Sequence, residues 1–360
     1  MSNGLENVVA AETVLSDVDG LAGRLVIRGL PLDAIAGKLS FEHVLTRLWA
    51  DMFPAMKDQL QPALGASRAA VFAALATEFA SAAALPLFDG MRALLARLTD
   101  DDSLDSALRL TAGPAVVLSA LLRLKAGDQP LAPDPALGHA ADMLRMTSGR
   151  QPSAAETAGL DTYLVTVIDH GLNASTFTAR VVASTGAGLG SSVLAALGAL
   201  KGPLHGGAPG PVLDMLDAIR TPEAAETWIQ TELQSGARLM GFGHRIYRAR
   251  DPRADALAGA LAQLKAGGGV NARLALAEAI ERAALAALVR HKPDRKLETN
   301  VEFYTALLLE ALGFPRDVFT AVFAAGRIGG WIAHAREQAL TGRLIRPQSV
   351  YVGPKPQRAA

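Results

Sequence analysis

The chain has 360 residues, enough for two domains and a sizeable buried core. Half of the residues are hydrophobic but only 5% are aromatic, so Ala, Leu and Val must do most of the packing, which favours closely packed helices over a β-sandwich. Lys plus Arg (35) equals Asp plus Glu (35), which argues against steering toward nucleic acid or an anionic membrane, and the absence of cysteine excludes disulfides, thiolate metal sites and a Cys nucleophile.

The opening residues, MSNGLENVVAAE, lack the basic and apolar regions of a signal peptide, so the chain is expected to be cytoplasmic. Gly23 to Gly29 is a short β-branched run bounded by glycines and predicts a small strand or hairpin arm. Phe41 to Trp49 has apolar residues at helical spacing, with Pro54 beyond to stop it. Residues 67–82 and 104–125 are Ala/Leu-rich helix formers, the second expected to break at Gly113-Pro114. Pro130, Pro133 and Pro135 mark a loop before a second helix-rich block, Ala154 to Leu200.

Within that block Val181 to Leu200 carries no charge. Its small-residue centre, GAGLGSS, reads as a buried helix rather than a membrane span, and no Gly-Lys-Ser/Thr follows to make a phosphate loop. Leu274 to His291 is amphipathic, preceded by a flexible turn at 266–271 and followed by a polar break at 291–296.

Three polar islands stand out of this bland background. Asp169 to Thr176 (DHGLNAST) places His170 among residues that can equally cap the helix that follows. Lys201 to Gly207 sets His205 on an irregular turn between Pro203 and two glycines, either to aim its ring or as an exposed loop residue. Leu239 to Arg253 holds His244 between glycine and four arginines, a local cation excess suited to carboxylate or phosphate, or else a solvated charge run. Glu302, between apolar neighbours in NVEFY, is either paired or functional, and Arg327 in AAGRIGG raises the same question.

There is no GxSxG elbow and no HExxH motif. Two glycine-set histidines, a carboxylate and several arginines suit proton abstraction beside a carbonyl, with imidazole polarising a second carbonyl and arginines clamping carboxylates.

These segments, in this order, resemble the citrate synthase family: DHGLNAST, GPLHGGA, GFGHRIYRARDPRA, NVEFY, GRIGGWIAHAREQ and IRPQSVYVG, with GLENVVAAETVLSDVDG, LVIRG and FEHVLTRLW at the N-terminal end. The resemblance spans nearly the whole chain. It implies a mainly α fold with a minor β-hairpin: a large helical domain from 1–207 and 314–360, and a smaller one, 208–313, closing over the cleft between them. It implies condensation of an acyl-CoA with a 2-oxo acid, no metal, no tightly bound cofactor and a homodimer.

By the same resemblance His205 hydrogen-bonds the thioester oxygen, Glu302 removes the α-proton and His244 polarises the oxo-acid carbonyl. His170, Arg253 and Arg327 hold its carboxylates, and Arg346 reaches the neighbouring subunit. The backbone of Leu239, Met240, Gly241, Phe242 and Gly243 receives CoA, with Arg248 and Arg250 as phosphate partners.

The chain departs from the family pattern in three places. Glu302 stands where the family has aspartate, Pro209-Gly210 where it has Asn-Glu, and STGAGLGSS lacks the acidic and aromatic residues of that helix. One extra methylene moves a carboxylate by about 1 Å, enough to matter in a positioned proton transfer. The readings are therefore citrate formation from oxaloacetate and acetyl-CoA, 2-methylcitrate formation from propionyl-CoA, or a weakly catalytic or non-catalytic protein that binds acyl-CoA or dicarboxylate.

Overall fold

The computed structural model describes residues 4–5, 8–54, 56, 59–206, 210–243, 247, 249–266, 271–293 and 297–354. The chain opens with a three-stranded antiparallel meander, β1 (Ser16–Asp19), β2 (Arg24–Ile27) and β3 (Leu30–Pro31), with Ser16 opposite Ile27 and Val26 opposite Pro31. The β-branched run is its middle strand, burying Leu25 and Ile27 on one face as strand alternation requires.

Helices follow: α1 (Leu32–Ile35), α2 (Phe41–Leu48), α3 (Gln61–Leu75), α4 (Phe79–Ala83), α5 (Leu87–Leu95), α6 (Leu104–Lys125), α7 (His139–Ser148), α8 (Ala154–Val167), α9 (Ala174–Ala183) and α10 (Gly188–Leu200). Beyond them come α11 (Gly210–Ile219), α12 (Ala225–Gln234), α13 (Pro252–Ala266), α14 (Asn271–His291), α15 (Val301–Ala311) and α16 (Phe319–Thr341). Ser40, Ser103, Asn173 and Asn300 accept hydrogen bonds from the first turns of α2, α6, α9 and α15, and Ser153 with Glu156 forms a capping box on α8.

α16 is the central pillar. It packs against α6, α8, α9 and α10, and its residues from Ala324 to Ala335 are buried without interruption. The helices between residues 210 and 311 pack largely on one another, α11 and α13 against α15 and α12 against α14, and meet the rest chiefly through α13 on α8.

Two expectations are corrected. α6 does not break at Gly113-Pro114 but runs through it. Proline removes one intrahelical hydrogen bond while its φ remains helical, and burial of nearly every side chain from Ser106 to Leu121 outweighs that loss. Conversely, Val181 to Leu200 is not one buried helix. Gly186 and Gly188 adopt φ of +77° and +80°, a left-handed backbone that ends α9 and lets α10 fold back along it.

Stretches 61–83 and 104–125 are long and apolar enough to cross a membrane by length and composition, but the second is the core helix α6. The predicted turn at 266–271 and break at 291–296 fall largely outside the described residues.

Candidate active site

The site draws on five chain segments, one of them the start of α13 with Arg253. α8 delivers its C-terminus into Asp169 and His170, the turn after α10 presents His205, the first turn of α15 carries Glu302, and the middle of α16 contributes Arg327. His244 and Arg248 lie outside the described residues.

His205 hangs on the Ser175 hydroxyl, its Nε2 2.8 Å from Oγ. The same Oγ accepts from Trp331 Nε1 (3.1 Å) and donates to Asn173 Oδ1 (2.8 Å), which also caps α9 by accepting from the Thr176 amide. The single hydroxyl proton therefore has two candidate acceptors, and its choice sets the tautomer of His205. Burial, with the Arg327 charge adding to it, pushes the His205 imidazole down to about 4, so it is a neutral ring at pH 7.

Glu302 sits in the first turn of α15, its backbone N–H bonded to Asn300 Oδ1 at 3.0 Å. A helix N-terminus favours an anion by only about 0.3–1 kcal/mol. Burial opposes it more strongly, and although Arg253 and Arg327 pull the other way, the carboxyl is raised to about 7. No described group donates a hydrogen bond to that carboxylate.

Arg327 is fully buried, donates from Nε to the Val167 carbonyl and lies with its guanidinium carbon 4.7 Å from the Phe323 ring centroid. Its two terminal nitrogens meet no acceptor among the described residues. Burial lowers it to about 10, with Arg253 adding to the effect and Asp169, Tyr163 and Glu302 opposing it. Arg253 is clamped bidentately by Asp251, Nε to Oδ1 at 3.0 Å and Nη2 to Oδ2 at 2.8 Å, so burial's pressure to discharge it is more than offset. His170 Nε2 lies 3.0 Å from the Tyr247 hydroxyl, whose ring stands beneath the Arg253 guanidinium at 5.6 Å.

The segment 239–243 is stitched to the approach to Glu302. Gly243 N donates to Glu298 O (2.7 Å), Asn300 N to Gly241 O (2.9 Å) and Asn300 Nδ2 to Gly243 O (2.7 Å). Gly241 has φ +85°, and a Cβ there would stand 3.0 Å from Phe303, so only glycine lets this turn lie against α15. Leu239 and Phe242 are buried beside half-buried Met240, leaving the backbone as the surface this turn can offer.

Two expected residues stand apart. Arg250 is engaged by Asp255 at 2.5 Å and faces Glu298 at 3.9 Å. Arg346 is exposed on the extended segment after α16 and forms no hydrogen bond or ion pair with this cluster.

Residues that the motifs alone did not single out complete the site. Tyr163, two helical turns before His170 on α8, has a buried hydroxyl with no partner among the described residues, and burial together with the Glu302 charge raises it, keeping it a donor. Ser175, Trp331 and Asp251 lay within recognised segments, but nothing in their spacing announced their contacts. Two cavities, of about 630 and 430 Å³, lie elsewhere, between the meander and α13 and between residues 12–14 and the end of α16. Neither is lined by His205, Glu302 or Arg327. Among the described residues no three His, Asp or Glu side chains are placed to hold a metal ion.

The chain as a whole has counterparts among known proteins. Residues 4–348 match the family described as citrate synthase, C-terminal domain. The citrate synthase of Haloferax volcanii is 37% identical over 373 residues, covering 99% of this chain and 96% of that protein. The crystal structure of citrate synthase from Thermotoga maritima superposes with a TM-score of 0.85 at 32% identity, covering 100% of this chain and 98% of the other. The citrate synthase of Thermoplasma acidophilum, solved as a ternary complex with carboxymethyl coenzyme A and oxaloacetate, matches with a TM-score of 0.83 at 28% identity, covering 100% and 98%. The chain therefore belongs to the citrate synthase family of condensing enzymes.

Proposed function

We propose that this enzyme condenses acetyl-CoA with oxaloacetate and releases citrate and CoA, with Glu302 as the base. The observation that carries this reading is a carboxyl at the first turn of α15, raised to about 7 by burial and within reach of the charges of Arg253 and Arg327. Such a group is substantially ionised at neutral pH yet basic enough to accept a carbon-bound proton, the compromise general-base catalysis favours.

Glu302 takes a proton from the acyl α-carbon, and the electron pair of that C–H bond delocalises onto the thioester oxygen. Neutral His205 donates Nδ1–H to that oxygen, which requires the Ser175 hydroxyl to turn its proton from Asn173 Oδ1 to Nε2. The enol carbon attacks the oxo carbonyl, whose oxygen takes its proton from His244, and water then cleaves the thioester of the product. Arg327 and Arg253, with His170, hold the oxo-acid carboxylates, while the backbone of 239–243 receives CoA. Arg346 serves the site of a second subunit in a homodimer. The helices of 208–313 act as the smaller domain, closing on the remainder to exclude water until the carbon–carbon bond has formed.

The test follows free CoA release with oxaloacetate and either acetyl-CoA or propionyl-CoA. Glu302→Gln is expected to lower kcat by about 10²–10⁴ while oxaloacetate still binds, and Glu302→Asp to lower the rate because the shorter side chain withdraws the carboxylate. Faster turnover of propionyl-CoA favours the 2-methylcitrate reading. Absence of turnover on a broad acyl-CoA and oxo-acid panel, despite tight binding, sinks the catalytic one.

A further inference from the structure

Behind the site, α16 turns three polar side chains, His334, Glu337 and Gln338, onto Arg180 of α9. All four are buried, His334 completely. Arg180 Nη1 donates to Glu337 Oε2 (2.6 Å) and to His334 Nδ1 (2.9 Å), and its Nε donates to Gln338 Oε1 (3.0 Å). Arginine can only donate, so Nδ1 of His334 is the acceptor and Nε2 carries the proton. That Nε2–H points between both oxygens of Asp169, at 3.1 and 3.2 Å.

Asp169 is fully buried and immediately precedes His170. Burial alone would raise its carboxyl, but His334, Ser16 and the charge of Arg327 outweigh that and hold it below the usual carboxylate range. An ionised carboxylate thus stands behind Arg327 and His170. At the far end, Glu337 Oε1 accepts from the Val14 amide and Gln338 donates to the Arg343 carbonyl, fixing both chain ends to the same chain of contacts.

We propose that His334 is a positioning residue for oxo-acid binding. Through its Nε2–H it orients Asp169, and Asp169 in turn holds His170 and the charge of Arg327 in register for a dicarboxylate. Glu337 and Arg180 serve this role by fixing the tautomer of His334. The inference rests on the oxo-acid reading of the cluster and adds a residue that does not touch the substrate.

Two near-isosteric substitutions separate positioning from packing. His334→Gln can keep an amide donor near the Nε2 position, whereas His334→Asn keeps a polar atom for Arg180 but cannot reach Asp169. His334→Asn is expected to raise KM for oxaloacetate about tenfold or more, the weight of one hydrogen bond to a charged group, with KM for acyl-CoA nearly unchanged. His334→Gln is expected to recover most of that loss, both variants melting near the wild-type Tm.

Wild-type protein that fails to bind oxaloacetate in calorimetry overturns the functional reading itself. Wild-type binding matched by equal binding in His334→Asn overturns the positioning role, as do both KM values rising together. If His334→Asn does not fold, the tautomer decides: ¹⁵N chemical shifts of the wild-type protein must report Nε2–H, and Nδ1–H would falsify the proposal.

Discussion

Two buried polar clusters lie on either side of α8, and their difference separates a site from a scaffold. In the first, Arg68 and Asp142 are fully buried and paired at 2.8 Å, Arg68 also serving the Leu137 carbonyl, while Asp142 accepts from Arg145 and the Asp134 amide. Its remaining carboxylates close helix ends: Glu42 accepts from the His139 amide at 2.6 Å and Asp161 from the Phe41 amide at 2.9 Å. In the second, Arg327 and Glu302 sense each other's charge but form no ion pair, and the Tyr163 hydroxyl, which feels both charges, has no partner among the described residues. Both clusters are buried and charged, and each contains histidine. Among the described residues only the second leaves a carboxyl with no hydrogen-bond donor and an arginine with both terminal nitrogens unengaged, so open hydrogen-bonding capacity, more than burial, points to where a ligand belongs.

The largest contrast comes from removing one carboxylate in each. Asp142→Ala leaves Arg68 charged and buried without a counter-ion and is expected to cost about 3–5 kcal/mol in urea unfolding, with activity per folded molecule unchanged. Glu302→Gln should do the reverse. A carboxyl raised from 4.5 to about 7 contributes stability that is full below its unfolded pKa and lost as pH rises through about 7. At pH 8 the glutamine variant should therefore be more stable than wild type by about 1–3 kcal/mol while nearly inactive. Equal destabilisation of both variants would erase the distinction.

The sequence carried the second cluster better than the first. His170 and His205 each sit in a polar island set by glycine, proline or asparagine, and Glu302 stands as a carboxylate between apolar neighbours, features that act over a few residues and can be read locally. The roles came from the resemblance, since composition assigns no proton. Contacts made over long separations were not legible: Arg180 meets His334 and Glu337 across 154 and 157 residues, and nothing in WIAHAREQ indicates which face of α16 looks inward. The continuity of α6 through Pro114 was hidden for the same reason, because tertiary burial overrode a local helix-breaking signal.

A smaller effect is expected at Asp161, which burial and the nearby Glu42 charge raise to about 7 despite its bond to the Phe41 amide. Its contribution is complete below about pH 4 and disappears as pH rises through 7, as for Glu302. Asn at this position keeps the acceptor for Phe41 and removes the titration. Unfolding of Asp161→Asn should match wild type at pH 4 and exceed it by about 2 kcal/mol at pH 8. A flat difference across that range would mean the carboxyl is ionised throughout.

The smallest effect tests the two buried histidines against each other. His139 is stacked on Phe41 with centroids 5.3 Å apart, and neither ring nitrogen has a partner among the described residues. Burial, with Arg68 adding to it, holds it well below the ordinary histidine value, so it is neutral when folded. A depressed pKa gives stability that is present above the unfolded value near 6.5 and lost as pH falls, so His139→Phe should unfold less readily than wild type at pH 5. At pH 8 the change is expected to stay within about 1 kcal/mol, since phenylalanine keeps the stacking and removes two unsatisfied nitrogens. The same substitution at His334 deprives Arg180 of an acceptor and Asp169 of a donor, and should weaken oxaloacetate binding. If His139→Phe instead proves the costlier of the two, its nitrogens are held by buried water and the first cluster is not closed.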